Sequence, residues 1–242
     1  MRKLFGVDPA PSKKSVVFDG ERFYEKDAFE LKKFFSSVDK NCFVSWDAPL
    51  GDDFEANLFY KPLEKILNSK NSYIDQKKPP KGISTLPFAS CPHWSISQYV
   101  LGYPIINKDI INKDKLFFYL VQSNEDISFY KSNLFETHPA FSMWVFLKDK
   151  ILQDNWQYKG TKDSKKFFYL LTDEIFDLKI TKEFIHIKSL IKNDDYLDSF
   201  VSFLNLKLFI EKKAFVYGNK KIGAMLLPDL KNILKKDILC SL

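Results

Sequence analysis

Apolar and polar positions along the chain fall into two periods. Lys3 to Asp8 is a short apolar run ending in an acid, and Ser15 to Phe18 is another. Asp19-Gly20 is a strong two-residue hairpin signal, and Glu21 to Glu25 follows with strand-like alternation around Phe23. An antiparallel meander is predicted. From Asp27 the period changes: Ala28, Leu31, Phe34, Phe35 and Val38 recur at helical spacing, with Asp27 as N-cap. Asn41 to Trp46 is a compact strand stopped by Asp47-Ala48-Pro49-Leu50-Gly51, where Pro49 and Gly51 both end regular structure. A helix between the meander and the next strand implies a crossover, so this strand should lie parallel to the first.

Beyond residue 51 the pattern is less regular. Leu58 to Leu67 reads as a helix. Asn68 to Pro87, with Lys70, Lys77, Lys78 and Lys81 around Pro79-Pro80, reads as an irregular loop. Ser95 to Leu101 fits a short helix, and Lys115 to Gln122 fits helix or strand. The stretch 52–130 is therefore expected as an insertion over the carboxyl edge of the sheet, within a single domain covering 1–242. Asn133 to Thr137 resumes the strand pattern around a third acid, Glu136, followed by His138-Pro139. Helices are predicted over Ala140 to Leu147, Ser164 to Phe176 and Glu183 to Ile191. A long one runs from Asp194 or Asp195 to Lys212, its apolar face built from Leu197, Phe200, Val201, Leu204, Leu208 and Phe209. Phe215 to Tyr217 and Met225 to Leu227, around Gly218-Asn219, predict a terminal strand pair. The fold class is α/β: a mixed sheet of an antiparallel three-strand meander plus parallel strands, flanked by helices.

Composition narrows the function classes. The chain has 242 residues, 45% hydrophobic and 28% charged, which suits a globular domain with a real core. No apolar run approaches the ~20 residues of a membrane span, and the first residues lack the apolar core and cleavage site of a secretory signal. A cytoplasmic protein without a membrane partner is expected. Cys42, Cys91 and Cys240 have no Cys-x-x-Cys spacing, and Cys91-Pro92-His93 reads as a loop turn. The net charge of +6 is compatible with a polyanionic partner without requiring one.

The acids carry the chemistry. Asp8 and Asp47 fall at the carboxyl ends of adjacent parallel strands, where open α/β sheets place their sites, and Glu136 ends a further strand. Asp195 and Asp198, three apart at the start of the long helix, share a face. Carboxylates gathered together repel one another and favour a hard cation, Mg²⁺ or Mn²⁺. The prediction is that Asp8, Asp47, Glu136 and Asp198 converge into one divalent-metal site. Plainer readings stand beside this one: Asp47-Ala48-Pro49 also fits a strand-ending turn, Asp194 and Asp195 fit a helix cap, and Glu136 fits a pair with a lysine.

Four segments carry a resemblance: Phe5-Gly6-Val7-Asp8-Pro9-Ala10, Trp46-Asp47-Ala48-Pro49-Leu50-Gly51, Glu136-Thr137-His138-Pro139-Ala140 and Asp195-Tyr196-Leu197-Asp198-Ser199. In this order they resemble the successive motifs of the domain-of-unknown-function family 429, whose members are expected to be ribonuclease H-like nucleases. Ala224-Met225-Leu226-Leu227-Pro228 is similar to that family's closing strand. The resemblance spans most of the chain and is loosest over 52–130. It implies a ribonuclease H-like fold in which Asp8, Asp47, Glu136 and Asp198, with Asp195 as auxiliary, bind Mg²⁺. The chain departs from the family at Ser199, where the family usually has alanine.

These readings lead to metal-assisted hydrolysis of the phosphodiester bonds of nucleic acid, DNA or RNA, by two metal ions. His138 is a candidate proton shuttle, or else caps the turn before Pro139. Lys159, Lys162, Lys165 and Lys166 are candidate contacts to a phosphate backbone, or a solvated helix face. Two rival classes remain. A non-catalytic protein of the same fold would keep the acids for binding. An actin-like or sugar-kinase-like ATPase would need glycine-rich phosphate turns, for which 8 glycines and the sequence Asp8-Pro9-Ala10-Pro11 provide little material.

Overall fold

A computed structural model describes residues 2–38, 41–50, 61–80, 93–101, 118–128, 130–152, 156–175 and 181–242. The chain opens with β1 (Lys3–Asp8), β2 (Ser15–Phe18) and β3 (Phe23–Lys26), then α1 (Ala28–Ser37) and β4 (Cys42–Trp46). Asp27 caps α1 as predicted: its carboxylate accepts from the Glu30 amide while the Glu30 side chain accepts from the Asp27 amide. The β2–β3 connection differs from the two-residue turn read from Asp19-Gly20. Phe18 pairs with Phe23, leaving a four-residue loop. The Asp19 carboxylate takes up the amides of Glu21 and Arg22, and Gly20 sits at φ +102°, so the side chain closes a wider turn.

The chain continues through α2 (Pro62–Asn68), a 3₁₀ turn at Lys70–Ser72, α3 (His93–Leu101) and β5 (Phe118–Leu120). It then forms β6 (Ser132–Glu136), α4 (Pro139–Leu147), α5 (Thr161–Ile175), a 3₁₀ segment (Thr181–Leu190) and α6 (Asp194–Ile210). The hairpin β7 (Ala214–Asn219) and β8 (Gly223–Pro228) and the short α7 (Lys236–Ser241) complete it. Six strands make one sheet in the order β3-β2-β1-β4-β6-β5, antiparallel over β3-β2-β1 and parallel from β1 to β5. The region expected as an insertion thus contributes β5, an edge strand of the sheet itself. Residues 52–60, 81–92, 102–117 and 129 of that region lie outside the described residues, as does Phe176, where the helix from Ser164 was expected to end.

Strand alternation divides the sheet between two apolar cores. Phe5, Val7, Val17, Val44 and Leu134 meet Leu31 and Phe35 of α1 and Ile96 and Val100 of α3. Val16, Phe18, Phe43 and Phe135 face the other way, toward α4, α5, α6 and the β7–β8 hairpin. The helix α6 is buried almost all round, not on one stripe: Ser199, Ser202 and Asn205 are as buried as Leu197 and Phe200. It lies between the sheet on one side and α4 and α5 on the other, so a polar residue on any face but the last turn meets protein.

Gly6 sets how closely α6 approaches β1. A Cβ on Gly6 would run into the carbonyl oxygen of Ser199 and the amide nitrogen of Phe203. Both are helix backbone and cannot swing aside. Gly6→Ala is expected to destabilise the protein by about 2–3 kcal/mol, as overpacking against a rigid neighbour does, read as a lower urea midpoint with an unchanged slope. The departure at Ser199 is accommodated here: its hydroxyl donates to the Tyr196 carbonyl, so the buried oxygen is satisfied within the helix.

Candidate functional site

Parallel pairing aligns Val7 with Trp46 and Trp46 with Glu136. Asp8 and Asp47 therefore follow one another across the ends of β1 and β4, and the Asp47 amide donates to the Val7 carbonyl at 3.0 Å. Glu136 stands one residue lower, level with Trp46; its successor Thr137 takes the rung beside Asp47, donating its amide to the Trp46 carbonyl. The close seating of α6 on β1 then carries Asp194, Asp195 and Asp198 to the same end. All six acids line one cavity of about 340 Å³, together with Lys13, Glu64, His93, His138, Tyr158 and Lys159.

The electrostatics confirm the crowding. Asp8, Asp47 and Asp198 all have carboxyls raised well above the usual aspartate range. Burial is the largest cause in each. The next is a neighbouring acid: Asp198 for Asp8, Asp8 for Asp47, and Asp47 for Asp198. The charge of nearby Asp195 raises Asp8 further. Lys159 and Lys13 act in the opposite direction, Lys159 on Asp47 and Asp198, Lys13 on Asp8.

Several of these carboxylates are already engaged. Asp195 takes the Lys13 ammonium at 2.5 Å. Asp198 Oδ2 accepts weakly from the Tyr158 hydroxyl at 3.4 Å, and Asp198 Oδ1 is buried with no hydrogen-bond partner among the described residues. Glu136 Oε2 is held by the fully buried Lys61 ammonium and by the Leu50 amide at 2.5 Å. Lys61 also donates to the Leu50 carbonyl at 2.5 Å, and its backbone amide donates to Glu64 Oε2 at 2.8 Å. Glu136 and Lys61 thus clamp both ends of the Leu50 peptide, three residues past Asp47, and fix that loop on the sheet edge. Beside this pair, Glu64 is pushed up to about 7, by burial first and despite Lys61.

The predicted residues separate as follows. Asp8, Asp47, Glu136, Asp195 and Asp198 reach one cavity, and His138 and Lys159 line it too. His138 occupies the N-cap position of α4 without capping it through its side chain; its carbonyl accepts from the Ser142 amide and hydroxyl. Lys162, Lys165 and Lys166 are exposed on α5 and do not line the cavity. The cavity also draws in Lys13, Glu64, His93 and Tyr158, and Lys61 holds Glu136 beside it; no motif singled these residues out. Only Lys61 and Glu64 had a local signal: Lys61-Pro62-Leu63-Glu64 is a helix start with proline first and glutamate third. His93, read as part of a loop turn, instead opens α3, and burial with the nearby Lys13 and Lys159 lowers its pKa.

Among the described residues, no three His, Cys, Asp or Glu side chains stand close enough together to hold a metal ion as arranged. The donor chemistry nevertheless suits a hard cation, since the cluster offers carboxylate oxygens and Asp198 Oδ1 is a buried acceptor with no donor among the described residues. No helix among the described residues is long and apolar enough to cross a membrane. No family model matches the chain, and neither does any curated protein or solved structure.

Proposed function

We propose that this protein is a metal-dependent phosphodiester hydrolase of nucleic acid with a ribonuclease H-like fold. The observation that carries the reading is the convergence of Asp8, Asp47 and Asp198 at one end of a mixed sheet, where burial first and the neighbouring acid second raise the pKa of each. An antiparallel meander followed by parallel strands, with the acid-bearing α6 packed over β1, supports the fold assignment, as do the motifs resembling family 429.

Asp8, Asp47 and Asp198, with Asp195 beside them, would hold Mg²⁺ or Mn²⁺, which would supply an activated water and neutralise charge on the departing oxygen. Lys159 and Lys13 bring positive charge to a cavity that must admit a phosphate. Lys13, bound to Asp195 from an exposed loop, is the group a phosphate would draw away from the acids. Glu136 keeps the Asp47–Leu50 turn rigid through Lys61, so its contribution is to hold Asp47 in place. His138 lines the cavity, and an imidazole there can carry a proton to or from the reacting oxygens.

The alternative of a non-catalytic binding protein draws on two observations: Asp195 is occupied by Lys13, and the acids do not stand at ligand spacing. Incubation of labelled RNA and DNA with the protein in Mg²⁺ or Mn²⁺ separates the two. Metal-dependent product that disappears in Asp8→Asn is expected. Absence of cleavage with either metal on either substrate contradicts hydrolysis, and tight ATP binding would point to the kinase-like class instead.

A further inference from the structure

A second cavity, of about 280 Å³, lies at the far end of α4 and is lined by lysine and tryptophan. Its walls carry Lys77 and Lys78 from the loop after the 3₁₀ turn, Lys148 and Lys150 from the end of α4, and Trp144 and Trp156. That loop is fixed to the body of the protein. The Ile74 amide donates to the Ile233 carbonyl, the Lys235 amide to the Ser72 carbonyl, and the Tyr73 ring meets Trp144 edge-on at 5.5 Å. Of the four lysines, Lys148 pairs with Asp149 and Lys150 with Glu174. Lys77 and Lys78 are exposed and make no ion pair with any described residue.

Two elements connect this groove to the acid cavity. Ala140 lines the acid cavity and Trp144 the basic groove. They lie one helical turn apart on the same face of α4, about 6 Å along the axis, with Lys148 one turn further. Trp156 lines the groove and Tyr158 and Lys159 line the acid cavity, so three residues of chain, about 11 Å at most, pass from one to the other. A ligand whose phosphate lies among the acids therefore finds, a short step away, a groove offering positive charge and the half-buried Trp156, with the buried Trp144 behind it.

Resting on the hydrolase reading, we infer that this groove holds the flanking nucleotides of an unpaired nucleic-acid strand, with lysines along its phosphates and Trp156 against a base. Lysines alone would take any polyanion. The half-buried Trp156 favours a base that is free to stack, which a paired strand does not offer.

The test is the fluorescence anisotropy of a labelled unpaired strand of about fifteen nucleotides, titrated with the full-length protein in EDTA so that binding is read without cleavage. Lys77→Glu/Lys78→Glu, two exposed positions, should weaken binding about tenfold and flatten the slope of log affinity against log salt by about 1.4. Tryptophan fluorescence should be quenched on binding, less so in Trp156→Phe. Unchanged affinity and slope in the lysine variant would overturn the inference. So would a duplex of equal length binding as tightly, or a polyglutamate peptide displacing the strand as well as unlabelled strand does. Groove-dependent binding without cleavage once Mg²⁺ or Mn²⁺ is added would uphold the groove and remove the hydrolase reading. Cleavage that needs Asp8, with binding indifferent to the lysines, would do the reverse.

Discussion

Asp8→Asn should lower cleavage by on the order of 10³-fold, the scale of losing a group that stabilises transition-state charge, while raising the melting temperature of the metal-free protein. The second half follows from burial. The Asp8 carboxyl is raised above its ordinary value of 3.8 by desolvation, then by Asp198 and Asp195. The folded state therefore holds a proton that the unfolded chain gives up. Stability is fullest below about 3.8 and falls as pH rises toward the folded value. Asparagine has no charge to desolvate or to repel Asp47, so the variant should lose less stability as pH rises above about 3.8. About 1 kcal/mol corresponds to roughly 2–4 °C in a domain of this size. Calorimetry in EDTA as pH is raised would show the two curves diverging toward alkaline pH; a variant that melts lower than wild type at every pH would contradict the account of the cluster.

Lys61→Ala should have the largest effect on stability. Its ammonium is fully buried against Glu136 and the Leu50 carbonyl, and its removal leaves a buried carboxylate without a counter-charge. Breaking one side of such a pair costs about 3–5 kcal/mol, or roughly 6–20 °C. The stem matters as well, because the Lys61 Cδ lies 2.7 Å from where a Cβ on Gly223 would stand, so alanine also opens a void under β8. Replacing both partners, as Lys61→Met/Glu136→Leu, removes the unpaired charge and fills the void. It should recover most of the lost melting temperature. Cleavage should remain impaired in the double variant, since nothing then grips the Leu50 peptide and the Asp47 turn is loosened. Full activity in that variant would show that Glu136 and Lys61 do not position Asp47.

The legible part of this site was local. Asp8 and Asp47 each end an apolar run, and the helix between their strands fixes them as parallel neighbours at one sheet end. Asp195 and Asp198 followed from helical spacing at the start of α6. Glu136 could be seen as a strand-end acid, but its partner lies 75 residues away, and nothing in Lys61-Pro62-Leu63-Glu64 shows that this lysine is buried. Lys13 likewise sits in a loop of Pro, Ser and Lys that reads as solvent-facing, and its contact is to a helix 182 residues on. The burial of α6 on nearly all faces escaped the periodicity because Ser199, Ser202 and Asn205 imitate a polar face. Two of them find partners inside: Asn205 donates to Thr137 and Ser142, and Ser199 to its own helix. The strand β5, three residues long, offered too short a run to separate from helix.

The central claim is that the carboxylates of Asp8, Asp47 and Asp198 form a divalent-cation site, and Mn²⁺ binding tests it without reference to any substrate. Electron paramagnetic resonance of free Mn²⁺, titrated against the metal-free protein at neutral pH, should show saturable uptake of two ions per chain, with Asp8→Asn and Asp198→Asn each losing at least one. Uptake no greater than that of a control protein of similar charge, or uptake unchanged in both variants, would contradict it.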